Sequence, residues 1–210
     1  MNKICVIGGG GHAKVVISIL KKINKYEIIG YTDKKNRGEI LQIRYLGTDT
    51  IMKNLIRENP DLAAIIGLGN IKLNKTRELL FEKLENFGFE LPSIISPFAI
   101  INEDVLVGKG TLICDGVIVN SGTRIGKGVI LNTSCSVDHD CKIGDFVHIA
   151  PGVTLSGGVS IGNNSLIGTG ASVIQYKNIC EDILIGAGTV VLDNIMEPGI
   201  YVGNPARKVK

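Results

Sequence analysis

The chain has 210 residues, a net charge of +3 and 44% hydrophobic residues, a composition that excludes an intrinsically disordered chain and points to one large or two small folded units. The charge is too small to argue for nucleic-acid or membrane-surface binding. Glycine is in excess, 27 residues or about 13% against a usual ~7%, while Trp is absent and aromatics are only 5%, so the core must be aliphatic and the backbone must turn many tight corners.

Residues 1–97 carry 15 Lys and Arg against 10 Asp and Glu, and the remainder is slightly acidic. A basic first half suits a phosphorylated ligand, and an ordinary solvated surface explains it equally well. The five cysteines are odd in number and lack CxxC spacing, so they read as reduced thiols used as small hydrophobes. The apolar run Ile4–Ile7 passes straight into glycines instead of extending into a secretory leader. Together these features predict a cytoplasmic protein.

Taken in chain order, Ile4–Ile7 predicts a buried strand and Val15–Ile23 a helix. Ile28–Tyr31 predicts a second strand that ends at Asp33. Thr48 or Asp49 is placed to cap a helix running to Arg57. Ala63–Ile66 predicts a third strand, and Thr76–Asn86 a helix stopped by Gly88. Strands and helices in alternation imply a small parallel sheet with helices packed on it.

From residue 95 the period becomes six. An aliphatic side chain recurs at Ile95, Ile101, Val107, Ile113, Val119, Ile125 and onwards without a miss to Ile185 and Val191. Four residues after most of them stands a small or β-branched residue, such as Thr111, Val117, Thr123, Cys135 and Cys141. A helix does not produce this period and a flat strand gives two. Six fits a short strand plus a corner, and three such faces close a triangular coil of eighteen residues. The predicted architecture is therefore an α/β domain with a small Rossmann-like parallel sheet over residues 1–94. It is followed by a left-handed parallel β-helix over residues 95–210.

Gly8-Gly9-Gly10-Gly11 follows a strand and opens a helix, where glycines admit a phosphate to free N–H groups at the helix start. Asp33 closes the next strand, where an acidic side chain often meets a ribose hydroxyl. His12 departs from the small residue of a dinucleotide motif, and about 90 residues are too few for a full dinucleotide fold. A mononucleotide or nucleotide-sugar is the better fit; a tight turn without a ligand is the alternative.

Only three histidines occur, His12, His139 and His148. Two in the β-helix are too few for a three-histidine metal site, so no metal is expected. His139 lies in Val137-Asp138-His139-Asp140, and a carboxylate beside an imidazole fixes its tautomer and raises its basicity, as a general base requires. One coil later stands Gly157, which should leave room for a reacting group and aim an N–H at a developing oxyanion. His139 and His148 are half a coil apart. If both serve one site, a neighbouring subunit supplies one of them, which predicts a cyclic homo-oligomer, a trimer by the shape of the coil. Phe146–Tyr176 contains no Asp, Glu, Lys or Arg, and its glycines and serines at regular spacing argue against a membrane span. Small outward residues such as Ser160, Ser165 and Ser172 are expected there, facing a neighbouring subunit.

The chain resembles the bacterial hexapeptide-repeat sugar acetyltransferases of the bacillosamine and perosamine N-acetyltransferase type, with sialic acid O-acetyltransferases as relatives. The residues that carry the resemblance are Gly8 to His12, Asp33-Lys34, Gly69-Asn70, Ile130 to Ser134, Val137 to Asp140, Ile143 to His148 and Val202 to Arg207. The resemblance implies a homotrimer of left-handed β-helices that uses acetyl-CoA. His139 matches the family's catalytic base and Asp140 its carboxylate partner, which is often Glu in related enzymes. His148 matches the coenzyme-side histidine, and Thr169 and Ala187 match positions whose backbones contact the coenzyme. Gly10, Gly11, His12, Asp33, Lys34 and Gly69 match the sugar-nucleotide site. The expected reaction is direct acetyl transfer to the free amine of a UDP-linked amino-deoxy sugar. O-acetylation of a sialic acid is the alternative, and a non-enzymatic scaffold a distant third. Cys135 and Cys141 sit in the inward column, which disfavours a covalent cysteine route.

Overall fold

The computed structural model describes residues 1–70 and 72–210. The first half runs β1 (Asn2–Ile7), α1 (Gly11–Ile23), β2 (Tyr26–Thr32), β3 (Tyr45–Gly47), a 3₁₀ turn (Asp49–Ile51), α2 (Met52–Glu58), β4 (Ala63–Ile66) and α3 (Thr76–Phe87). The sheet order is β3-β2-β1-β4, with every pair parallel. β4 and α3 lie where the sequence puts them, and Gly88 ends α3 in the left-handed conformation at φ 90°. Three details differ. α1 starts at Gly11, not Val15, so the glycine turn is itself the helix start. The strand β3 is three residues long and too short to show a period. Thr48 precedes the 3₁₀ turn without capping it, because its hydroxyl meets Thr50 Oγ1 at 2.8 Å.

From Ile94 the chain winds through two-residue strands that stack as three parallel sheets. Up to Val191 the strands pair at an offset of eighteen residues, as in Ile130↔His148, Ser136↔Thr154 and Lys142↔Ser160; in the last coil Gly199–Val202 pairs with Ile183–Ile185 at an offset of sixteen and antiparallel with Arg207–Lys208. This is the left-handed parallel β-helix. The second residue of each strand is the aliphatic of the hexad, and from Ile113 to Val191 all of them are buried. Each such side chain contributes roughly 1.5–3 kcal/mol by leaving water. The small-residue column also points inward, where Cys135 and Cys141 are fully buried thiols. Ser165 belongs to this column and not to the outer surface: it is buried and donates to Cys180 O at 3.2 Å. Thr123 shows why hydroxyls recur there. It donates to Asp138 O at 2.9 Å and accepts Cys141 N–H at 3.1 Å, tying one coil to the next.

At each corner one residue adopts a left-handed backbone. The position recurs every sixth residue from Asp104 to Gly188, and of these fifteen positions eight are glycine. The glycines directly after the inward aliphatics have a different role. A Cβ on Gly108 or Gly162 would run into the backbone of the next coil, so these positions permit close stacking.

The outward residues of one sheet, Ile94, Leu112, Ile130, His148 and Leu166, are buried as well. Ile94 and Leu112 share a core with Val16, Ile17 and Leu20 of α1, so the α/β half covers this face of the coil. Phe81 of α3 meets Phe146 edge-on at 5.3 Å, Arg77 Nη2 donates to Gly128 O at 2.5 Å, and Lys22 pairs with Asp115. Among the described residues no helix is long and apolar enough to cross a membrane.

Candidate active site

His139 sits at the corner after strand Ser136–Val137. Asp140 occupies the left-handed position at φ 58°, a conformation Asp tolerates better than most side chains. That backbone turns its carboxylate back onto the preceding ring, and Asp140 Oδ2 lies 2.9 Å from His139 Nδ1. A carboxylate only accepts here, so Nδ1 carries the hydrogen and Nε2 keeps its lone pair. The hydrogen bond to Asp140 raises the His139 pKa above its ordinary 6.5, and the charges of Asp138 and Asp140 add to the effect. The side chains are 50% and 71% exposed, so the pair is open to an incoming molecule.

The corner is held from beneath. Asp138 Oδ1 accepts His139 N–H at 2.9 Å and Asn120 Nδ2 at 2.8 Å, and Asn120 Oδ1 accepts Asn102 Nδ2 at 2.7 Å. The N–H of His139 and the Asn120 amide hold the Asp138 carboxyl below its usual range. Gly157 is buried beneath the His139 ring, and a Cβ there would overlap Nε2. The space opened by this glycine is therefore filled by the imidazole itself.

At the glycine turn the four residues divide. Gly8 has φ +115°, and a Cβ on Gly9 would strike the Tyr31 ring and Asp33; the fold requires both glycines. Around Gly10 and Gly11 a Cβ would meet nothing within 4 Å. Packing gives no reason for these two, and bare backbone N–H groups at the start of α1 face open space there. Asp33 Oδ2 accepts Gly9 N–H at 2.8 Å, Oδ1 accepts Lys35 N–H at 3.0 Å, and Arg37 Nε lies 3.4 Å away. Burial pushes the Asp33 carboxyl up, but these donors outweigh it and hold it below its ordinary value. Asp33, Lys34 and Arg37 line a cavity of about 380 Å³ with Leu68 and Leu80, and Gly9, Gly10, Gly11, Lys14 and Arg37 line a second of about 450 Å³.

His12 and His148 come together between the two halves, ring centroids 6.5 Å apart. His148 Nδ1 donates to Asn70 O at 3.2 Å, and Nε2 accepts Asn132 Nδ2 at 3.2 Å. Burial, with Arg77 nearby, pushes His12 down to about 4 and His148 to about 3. Gly69 lies against His12, where its Cβ would sit 3.5 Å from the ring. Both histidines are neutral in the fold, whereas the unfolded chain takes up their protons below about 6.5. Their contribution to stability is complete above pH ~6.5 and is lost as the pH falls towards 4 and 3, at up to about 1.4 kcal/mol per pH unit for each. Thermal melts should show a falling Tm from about pH 7 to about pH 5, with a shallower slope in His148→Gln. Equal slopes in the two proteins would contradict this.

Thr169 and Ala187 are exposed and stacked one coil apart, with Gly188 N–H donating to Thr169 O at 2.8 Å. They occupy the corner after the His148 sheet, not the corner of His139. Within one chain the sequence-predicted residues thus form three groups: His139, Asp140 and Gly157; Gly10, Gly11, His12, Asp33, Lys34, Gly69 and His148; and Thr169 with Ala187. Sequence reasoning missed Asn120, Arg37 and Arg77. Folding the sequence at eighteen residues would have stacked Asn102, Asn120 and Asp138.

Residues 3–84 match the PglD N-terminal domain family, and residues 122–157 and 140–175 match the bacterial transferase hexapeptide family. Among solved structures, the chain is similar to the acetyltransferase domain of PglB from Neisseria gonorrhoeae, with 34% identity, full coverage of both chains and a TM-score of 0.93. It is equally similar to a histidine-to-asparagine variant of perosamine N-acetyltransferase from Caulobacter crescentus, with 33% identity over 100% of this chain and 98% of that one, and a TM-score of 0.93. A curated relative, UDP-N-acetylbacillosamine N-acetyltransferase of Bacillus subtilis, is 34% identical over 114 residues, which spans 54% of this chain and about half (51%) of the relative's length. With full-length identity above 30% on the same fold, the chain belongs to the bacterial hexapeptide-repeat sugar acetyltransferase family.

Proposed function

We propose that the protein is an acetyl-CoA-dependent N-acetyltransferase that acts on the free amine of a nucleotide-linked amino-deoxy sugar. The α/β domain, residues 1–94, holds the nucleotide, and the β-helix, residues 95–210, carries the chemistry. The observation that carries this reading is the His139 corner, an exposed imidazole whose Nδ1 is tied to Asp140 at 2.9 Å while Nε2 is left to accept a proton. Support comes from relatives: the PglB domain is known in complex with acetyl coenzyme A, and perosamine N-acetyltransferase in complex with CoA and GDP-perosamine.

In this reading Gly10, Gly11 and Lys14 face the diphosphate, and the apolar cavity at Asp33, Lys34 and Leu68 takes the base. UDP is the first nucleotide to test, given the curated relative's substrate, and GDP the second. His139 Nε2 removes a proton from the sugar amine as its nitrogen bonds the acetyl carbon. The C–S bond then breaks, and the imidazolium returns the proton to the departing thiolate. The Gly157 N–H faces the carbonyl oxygen as charge develops on it. Holding both reactants together supplies several kcal/mol of the acceleration, on the order of the entropy of a bimolecular encounter. His148, Thr169 and Ala187 hold the coenzyme side.

A cytoplasmic homotrimer completes the site, because the base corner and the Thr169–Ala187 corner diverge on a single chain. The outward row Ile100, Ile118, Ser136, Thr154, Ser172, Val190 is uncharged, whereas the neighbouring sheet presents Leu106, Arg124, Lys142, Ser160 and Asn178. The uncharged row is the subunit face. Ser172→Glu is therefore expected to weaken assembly by about tenfold or more, since it buries an unpaired charge, and Ser160→Glu to leave it intact. Light scattering across a dilution series decides this; equal masses for the two variants would remove the assignment.

The function is tested by supplying acetyl-CoA with UDP- and GDP-linked amino sugars and with free amino sugars, while following thiol release and product mass. The expected product is a hydroxylamine-stable amide on a nucleotide-linked sugar. A hydroxylamine-labile ester, or acetylation of free sugars alone, would overturn the reading.

A further inference from the structure

We propose that Tyr176 is a binding residue for the pantetheine arm of the acyl donor, one wall of the channel along which the thioester reaches His139. The proposal rests on the acetyl-CoA reading above and assigns it a side chain that neither the motifs nor the sequence pattern singled out.

Tyr176 stands at a left-handed corner position, φ 57°. Most of the other non-glycine residues at such corners of the β-helix are Asp, Asn or Ser, which accept this backbone readily. The two large exceptions are Phe146 and Tyr176. Phe146 is compensated by packing, since its ring is buried and meets Phe81 edge-on. Tyr176 has no such compensation: it is 69% exposed, and its hydroxyl makes no hydrogen bond among the described residues. A bulky side chain held in a strained conformation, with only a glycine under one face of its ring and the rest open, marks a functional constraint.

The position fits a role beside the base. The Tyr176 ring lies over Gly158, as the His139 ring lies over Gly157, so the two rings cover consecutive residues. His139 reaches over Gly157 from the coil before, and Tyr176 over Gly158 from the coil after. Tyr176 N–H donates to Gly157 O at 2.9 Å, which ties the tyrosine to the glycine under the imidazole. The α/β half covers the sheet of His148 and Leu166, and the corner that carries His139 lies off that sheet and leads on to Tyr176. Between Asp140 and Lys177 the residues of this corner, Ser156, Gly157, Gly158 and Gln175, are uncharged. Such a corner suits an uncharged arm of methylenes and amides, against which a tyrosine offers an apolar face and a hydroxyl.

The test titrates coenzyme A, and separately adenosine 3′,5′-bisphosphate, which lacks the arm, into the full-length wild type, Tyr176→Asn and Tyr176→Phe by calorimetry. Asparagine suits the left-handed backbone, so Tyr176→Asn should keep the wild-type mass and match or exceed its Tm. It should bind coenzyme A about tenfold more weakly while binding the bisphosphate as wild type does, and Tyr176→Phe should stay close to wild type. Unchanged affinity for coenzyme A, an equal loss for both ligands, or a fall in oligomer mass would each overturn the proposal, the last by making Tyr176 a subunit contact. A wild type that binds no coenzyme A would overturn the acetyl-CoA reading together with this one.

Discussion

Replacing His139 with alanine is expected to lower kcat by roughly 10²–10⁴-fold, the range for loss of a general base, while oligomer mass and Tm stay at wild-type values. The ring is half exposed; its contacts are with Asp140 and the surface of Gly157, outside the aliphatic core. The fold therefore has little to lose. Asp140 keeps its left-handed backbone whatever stands before it, and Asp138 remains bonded to the His139 N–H and to Asn120 through groups that alanine does not alter. Steady-state thiol release beside a thermal melt separates chemistry from folding. Activity within a few-fold of wild type would remove His139 from the mechanism.

The second large effect is expected at Gly157, where alanine should cost about 10²-fold in kcat without unfolding the protein. A Cβ there overlaps His139 Nε2, so the ring must swing away from the position that Asp140 gives it. The backbone at Gly157 is not left-handed, and alanine strains nothing else. Gly158 provides the contrast. Its φ is +69° and a Cβ there would strike the Tyr176 ring, so alanine there costs about 1 kcal/mol or more of stability and displaces the tyrosine, while the imidazole stays in place. If Gly157→Ala kept wild-type kcat, the ring's position over the glycine would have no catalytic meaning.

Much of this was legible in the sequence because the β-helix repeats its physics. One inward aliphatic per strand leaves a period of six, and eighteen-residue stacking leads directly from His139 to Gly157. Three things were not legible. The left-handed corners fall on Asp140, Phe146 and Tyr176 as well as on glycines, so composition alone does not reveal the column. His148 is an outward residue of its strand, and its burial comes from the α/β half folding over that face, a contact between distant segments. Ser160 and Ser172 look alike in sequence but belong to different sheets, one in line with Lys142 and the other with Thr154. Arg77 lies in a charged, amphipathic helix and reads as surface; tertiary packing makes it a buried donor to Gly128.

The central claim, that a carboxylate-braced imidazole at residue 139 is the base, is tested most directly by the pH dependence of kcat/KM in wild type and in Asp140→Asn. The Asp140 hydrogen bond raises the His139 pKa above 6.5, and catalysis needs the neutral ring. The wild-type acid limb should therefore titrate above that value. Without the carboxylate the imidazole loses its proton at lower pH, so the limb should shift towards acid while the plateau drops. An acid limb in the same place in both proteins would contradict the account.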